Sequence, residues 1–378
     1  MIVGGAQENT LLTIRGHLAK GHENVLVTGP SEGREGKLLA NFSELPGLRI
    51  VEVPHLVREL SPLRDLRAYF FLRKFFRENR FDVVHTHSSK AGIIARCAAT
   101  SAHVPVVVHT IHGQAFTPYE KSWRNFIYIQ AEKFAAKRCD KIFAVAQAMI
   151  DQSLAHHIAP KELYQVVYSG METDKFTNAC RDEALCAQLG LVPGAPVIMT
   201  LARLFPQKGY EFVPEAFAKV VEAIPDAQLL IIGDGILREK LQRDFAALGV
   251  AEKVHFAGLV PPDQVPRYLA CGDLLWHLSL REGLPRAAVQ ALCEAKPVVA
   301  FALDGTPEVV LNGKTGFCLE AGDVAGVAEK SIELLADEAL RRETGLAGRR
   351  LVEEKFDWQR MADILEKEYF QLLERVSK

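Results

Sequence analysis

Several things are missing from this chain of 378 residues. No apolar run reaches the roughly 18 residues that a membrane-spanning helix requires. The opening MIVGGAQENT has neither the basic start nor the long apolar core of a signal peptide. No CxxC pair occurs: the seven cysteines, at 97, 139, 180, 186, 271, 293 and 318, are scattered. Buried free thiols in a reducing cytoplasm are the expectation. No DxD-type carboxylate pair is present to hold a divalent metal. Charge of one sign is not in excess either, since 45 Lys and Arg face 47 Asp and Glu for a net charge of −2. That balance gives no reason to expect a nucleic-acid partner. No internal repeat or low-complexity tract was found.

What is present is an alternation. Short apolar runs such as Val104 to Thr110, Lys141 to Ala144, Val197 to Leu201, Gln228 to Ile232 and Val298 to Phe301 are separated by amphipathic segments. Alternating strands and helices call for parallel sheets covered on both faces. The chain is long enough for two such domains, and we expect an α/β protein with two Rossmann-like domains facing a cleft.

One stretch organises the second half: Leu278 to Glu308, LSLREGLPRAAVQALCEAKPVVAFALDGTPE. It reads as a strand end, a loop carrying Glu282, a helix opening at Gly283-Leu284-Pro285, a buried strand and a second loop ending at Glu308. Proline suits a first helical turn, where its missing N–H costs nothing. Amides at a helix start seat an anion. A carboxylate beside such a seat is better explained by a ligand that also carries hydroxyl groups, as a sugar does.

Glu-Gly-Leu-Pro, a helix, Lys-Pro-Val-Val-Ala and Gly-x-Pro-Glu resemble the signature of the retaining family 4 glycosyltransferases of the GT-B fold. The family usually carries a second glutamate eight positions after the first, and here Gln290 stands in its place. A glutamate there would accept two ribose hydroxyl hydrogen bonds, whereas Gln290 accepts at one end and donates at the other.

Other phrases gain roles from that resemblance. Leu201-Ala-Arg203-Leu-Phe-Pro-Gln-Lys208-Gly209 matches the family's diphosphate clamp. Cations aimed at the leaving nucleoside diphosphate stabilise the transition state more than the ground state, and they would replace a metal. Gly233-Asp234-Gly235 and Gly258-Leu259 would wall the nucleotide. The third glycine of a dinucleotide motif is absent near Leu237-Arg238, which disfavours a nicotinamide site. His112-Gly113 resembles the histidine that family members turn to the donor sugar. Ser169 to Phe176 resembles the interdomain linker, and the last helix, Trp358 to Val376, would cross back onto the first domain. The expected division is thus 1–170, 171–355 and a crossing helix in 356–378.

In the first half, Gly4-Gly5 opens a helix that ends at Gly21, with Gly5 expected at the donor. Phe81 to His85 reads as a strand, and His85, His87 and Lys90 fall on the loop and helix start that follow. With His112 they gather at strand ends, where open α/β sheets bind ligands, and they are expected on the acceptor side. No acidic partner or helical i,i+4 spacing accompanies these histidines, so a metal site is disfavoured. Pro62 to Asn79, capped by Ser61, carries many aromatics with Arg64, Arg67, Arg73, Lys74, Arg77 and Arg80. It is either an ordinary packed helix with a solvated basic face or a patch resting on anionic lipid. Only Met1, Ile2 and Val3 precede Gly4, where a central buried strand is due. The expectation is a natural start upstream of Met1 and a vacant or distorted central strand.

The expected function is transfer of a sugar from a nucleotide-sugar, UDP-linked first, to a glycan or polyprenol-linked acceptor in cell-surface polysaccharide synthesis. Retention of configuration is implied by the resemblance alone. No cofactor or metal is expected, and the location expected is cytoplasmic, at the inner membrane face. The rivals are a GT-B sugar-nucleotide epimerase and a degenerate subunit that only binds nucleotide-sugar.

Overall fold

β-Branched runs flanked by amphipathic helices fold, in the computed structural model, as two parallel α/β units. Residues 5–30, 45–57, 59, 61–118 and 120–377 are described. One unit runs to Met171 and resumes at Trp358; the other is Glu172–Asp357.

The first unit opens with α1 (Gly5–Ala19), β1 (Asn24–Thr28) and β2 (Leu48–Glu52). There follow α2 (Pro62–Asn79), β3 (Val83–His87), α3 (Ser89–Ser101), β4 (Val106–Ile111) and α4 (Ser122–Ala136). It continues with β5 (Lys141–Ala144), α5 (Gln147–Ala155) and β6 (Tyr164–Val166). Strands β3 to β6 form one parallel sheet in sequence order, while β1 and β2 pair with each other in a separate one. Met1, Ile2 and Val3, on which the expectation of a missing strand turned, lie outside the described residues.

The second unit begins with α6 (Asp174–Thr177), α7 (Glu183–Gln188), β7 (Val197–Leu201), α8 (Val213–Ala223) and β8 (Gln228–Ile232). Next come α9 (Arg238–Ala247), β9 (Val254–Gly258), α10 (Val265–Leu269), β10 (Leu274–His277) and α11 (Arg286–Cys293). It ends with β11 (Val298–Phe301), α12 (Thr306–Val309), β12 (Gly316–Leu319), α13 (Val324–Ala336) and α14 (Glu338–Lys355). All six strands are parallel, in the order β12-β11-β10-β7-β8-β9. The chain winds one way from β7 and the other way from β10, so the topological switch point lies between these two neighbours. Both faces are covered: Val197, Ile198, Leu229, Leu230, Leu274 and Val298 are fully buried.

The last helix, α15 (Trp358–Val376), belongs to the first unit. Its stripe of Met361, Leu365 and Leu372 packs with Leu12 of α1 and with Val106 and Val108 of β4. Lys20 pairs with both Asp363 and Glu366 at 2.5 Å, beside the α1–α15 contact.

Several local readings need correction. Strand β3 runs past His85 to His87, because its ladder with β4 continues to the His87–Thr110 pair; His87 is therefore a strand residue, not a loop residue. Helix α11 begins at Arg286 with Pro285 as its N-cap residue, so Glu282 lies in the loop and Gln290 in the second helical turn. Ser61 makes no side-chain cap; instead its backbone N–H donates to Asp65 Oδ2 at 3.4 Å.

Candidate functional site

Four loops meet at the carboxyl ends of β7, β8, β9 and β10, around the switch point where open parallel sheets bind ligands. Backbone hydrogen bonds hold them together. Ala202 N–H donates to Ile232 O at 3.2 Å, Leu204 N–H to Asp234 O at 3.0 Å, and Gly233 N–H to Gly258 O at 2.9 Å. Leu280 N–H donates to Gln207 O at 2.9 Å, and Ser279 Oγ to the same oxygen at 3.2 Å. Two glycines permit this closeness. A Cβ on Gly233 (φ 138°) would lie 2.0 Å from Ala202 O, and one on Gly209 (φ 73°) would lie 1.8 Å from Leu278 O. Each also adopts a positive φ, which a side chain disfavours.

Lys208 and Glu282 meet across the switch point, with Lys208 Nζ 2.6 Å from Glu282 Oε1. The Glu282 backbone N–H donates to Asp304 Oδ2 at 2.8 Å, which fixes the loop without engaging the carboxylate. His277 Nε2 lies 3.6 Å from the same Oε1. Its ring is buried, and burial holds its pKa below the usual imidazole range; Glu282 opposes the fall and Lys208 adds to it. Lys208, His277, Tyr210 and Trp276 line a small cavity beneath the loops.

The other expected residues of this unit are arranged around the pair. Arg203 is exposed, with its guanidinium 5.3 Å from the Phe205 ring centroid. Asp234 accepts from the Gly235 N–H at 2.8 Å and pairs with Arg238 at 3.1 Å. Leu284 and Pro285 are buried, Gly283 and Gln290 half-buried, and Glu308 sits on the short α12. Leu259 is 68% exposed. Two residues that sequence reasoning passed over share that loop cluster, Phe205 at 37% and Ile236 at 71% exposure. Apolar side chains left in water around a polar centre suit the flat face of a base. Their signal lay in position, one or a few residues past a strand end.

In the first unit the histidines do come together. His87 Nδ1 and His112 Nε2 share a hydrogen bond of 2.9 Å, and His85 stacks on His87 with centroids 4.3 Å apart. His85 is also tied to Tyr369 of α15 and to Thr110 Oγ1. Burial, and then the neighbouring histidines, hold His85 well below the usual range; burial pushes His87 down to about 4. Both rings are neutral at pH 7. Lys90 pairs with Asp65 at 2.6 Å and donates to the carbonyls of Val57, at 3.0 Å, and Glu59. Gly5 is the first residue of α1. Among the described residues no group of three or more His, Cys, Asp or Glu is placed to hold a metal ion.

Helices α2 and α4 both pack on α3 and leave large apolar side chains in solvent. On α2 these are Leu63, Leu66, Phe70 and Phe71; on α4 they are Trp123, Phe126, Ile127 and Phe134. The α4 residues were not anticipated, although Trp123, Phe126, Ile127 and Phe134 recur at near-helical spacing. Among the described residues no helix is long and apolar enough to cross a membrane.

Two parallel Rossmann-like units, one gathering a cation, a carboxylate and glycine turns at its switch point, define the GT-B class of fold. The crystal structure of Anabaena HepE in complex with UDP superposes with a TM-score of 0.81 over 97% of this chain and 96% of that one, at 20% identity. The chain belongs to the group 1, family 4 glycosyltransferases. Residues 3–175 match the Glycosyltransferase Family 4 profile, and 182–351 match Glycosyl transferases group 1. It is 30% identical over 303 residues to the UDP-Gal:alpha-D-GlcNAc-diphosphoundecaprenol alpha-1,3-galactosyltransferase of Escherichia coli, covering 78% of this chain and 76% of that protein. It is 28% identical over 319 residues to the N-acetyl-alpha-D-glucosaminyl L-malate synthase of Bacillus anthracis, covering 82% and 80%.

Proposed function

We propose that this glycosyltransferase moves a hexosyl group from a UDP-sugar to a glycan or polyprenol-linked acceptor, with retention of configuration, in cell-surface polysaccharide synthesis. The observation that carries the reading is the meeting of Lys208 and Glu282, 2.6 Å apart, on loops at the switch point of a parallel sheet. Breaking the sugar–phosphate bond leaves extra negative charge on the diphosphate. Lys208 and Arg203 oppose that charge where it develops, which lowers the barrier without a metal. Glu282 receives donor-sugar hydroxyls, and the Gly283 and Leu284 amides receive phosphate. Gly233, Asp234, Gly235 and Leu259, joined by Phe205 and Ile236, wall the nucleotide, and Gln290 faces the ribose. In the first unit His112, hydrogen-bonded to His87, is the group that the family resemblance assigns to the donor sugar; Gly5 meets the donor, and His85, His87 and Lys90 serve the acceptor side.

The relative from Escherichia coli named above supports a UDP-sugar donor and a lipid-linked acceptor. Helices α2 and α4, with exposed aromatics beside Arg64, Arg67, Arg77 and Arg124, support seating at an anionic membrane face where such an acceptor resides. The test is incubation of purified protein with a panel of UDP- and GDP-hexoses and polyprenyl-diphosphate-sugar acceptors, reading product anomeric configuration by NMR. A transferred α-linked hexose from an α-linked UDP donor is expected. Nucleoside diphosphate released with no transferred sugar would favour an epimerase, and donor binding without turnover a binding subunit.

A further inference from the structure

Among the buried polar atoms of the second unit that lack a partner, one lies beside the loops of the candidate site. His277 closes β10 at 6% exposure, and its Nε2 has no hydrogen-bond partner among the described residues. An unpaired buried nitrogen is destabilising, so an apolar residue would serve better if packing were the only task. The atom is not remote from the chemistry. It faces Glu282 Oε1 at 3.6 Å, the oxygen that Lys208 holds at 2.6 Å.

Resting on the nucleotide-sugar reading above, we propose that His277 is a positioning residue that takes over Glu282 when a diphosphate draws Lys208 away. A diphosphate carries more negative charge than one carboxylate and competes for the same ammonium. Once Lys208 turns to phosphate, Glu282 would be a partly buried anion with its side chain unpaired, which is costly. A shift of about 0.7 Å brings Oε1 within hydrogen-bond reach of Nε2, and the anchor to Asp304 Oδ2 leaves the carboxylate free to make it. His277 must then donate from Nε2. Burial favours the neutral ring, and in that form it donates without adding a second positive charge to compete for the phosphates. Held by one oxygen, Glu282 keeps the other for a sugar hydroxyl. The exchange would couple arrival of the diphosphate to alignment of the sugar.

Three variants test this. His277→Gln places an amide nitrogen near the Nε2 position, His277→Asn nearer the Nδ1 position, and His277→Leu removes the donor. UDP affinity would be measured by titration calorimetry, and turnover with whichever UDP-hexose the wild type uses. His277→Leu and His277→Asn are expected to keep UDP affinity within about twofold while lowering kcat/KM about tenfold, the scale of one charge-assisted hydrogen bond. His277→Gln should restore most of the loss. Glu282→Ala combined with His277→Leu should be no worse than Glu282→Ala alone, since the histidine acts through the glutamate. Additive losses, equal loss of UDP affinity, or wild-type turnover in His277→Leu would overturn the proposal while leaving glycosyl transfer intact. If instead the wild type neither binds UDP nor turns over any nucleotide-sugar, both readings fall together. A fall in melting temperature shared by Leu, Asn and Gln with no rescue by Gln would mark His277 as a packing residue and would equally overturn it.

Discussion

Glu294 follows α11 as its C-cap residue, 7% exposed, and neither carboxylate oxygen has a hydrogen-bond partner among the described residues. Burial pushes its pKa up to about 8, with Lys296 and Arg349 pulling only weakly the other way. The sign follows from which form the fold prefers. The folded state favours the protonated acid, whereas the unfolded chain releases the proton near its ordinary value of 4.5. Stability is therefore full below the unfolded pKa and falls as pH rises toward about 8. Between about pH 4.5 and 7 the loss is roughly 3 kcal/mol, at 1.36 kcal/mol for each unit of pH over which the two states differ by one proton. Glu294→Gln keeps the shape and removes the titration. At pH 7.5, where the loss is roughly 3.5 kcal/mol, it should raise the melting temperature of the second unit by about 7–14 °C, taking roughly 2–4 °C per kcal/mol for a unit of this size. At pH 5 variant and wild type should differ little. Thermal unfolding followed by circular dichroism at both pH values decides it, and a variant-to-wild-type difference that is equal at pH 5 and 7.5 would refute the reasoning.

Other expectations are simpler to read. Arg203→Ala and Lys208→Ala should each lower kcat/KM by roughly 10²-fold, the scale of losing one donor to a developing anion; wild-type turnover in both would remove the clamp. Chelation with EDTA should leave most activity intact, and complete loss restored by Mg²⁺ or Mn²⁺ would contradict metal-free chemistry. Gln290→Glu should tighten nucleotide binding by on the order of 1 kcal/mol, a charge-assisted hydrogen bond replacing a neutral one; unchanged affinity would mean that the ribose is held elsewhere. Binding to anionic liposomes should weaken with added salt and on changing Arg64, Arg67 and Arg77 to glutamine, while Phe126→Ser should weaken it at every salt concentration. Binding indifferent to all of these changes would remove α2 and α4 from the membrane reading.

Much of the fold was legible because it follows from local chemistry. Strands β5, β7 and β8 and helix α15 carry continuous apolar or period-matched runs bounded by breakers, and their limits are Lys141–Ala144, Val197–Leu201, Gln228–Ile232 and Trp358–Val376. Errors arose where the neighbour decides the boundary. His87 looks like a loop residue by polarity, yet β4 offers it a ladder partner in Thr110, and pairing extends the strand. Pro285 fits a first helical turn by type, but the chain reaches α11 from a loop already tied to Asp304, and Pro285 becomes the cap instead.

The candidate site divides along the same line. Glu282, Lys208 and the glycine turns were legible because they stand on loops after strands, where a polar residue or an αL glycine has no packing role to satisfy. Their pairing was not, since Lys208 and Glu282 are 74 positions apart and only the parallel order β10-β7 brings those strand ends side by side. His277 was hidden for a different reason. It ends a buried run, Leu274-Leu275-Trp276-His277, and by sequence is simply the last residue of a strand. Its interest comes from an unmade hydrogen bond, and whether a polar atom lacks a partner depends on every neighbour at once. Glu294 is the same case at the other end of α11, where neither residue type nor spacing tells a solvated carboxylate from a buried one. Residue type and position after a strand pick out candidates for meeting a ligand; groups that meet one another require the sheet order that joins distant loops.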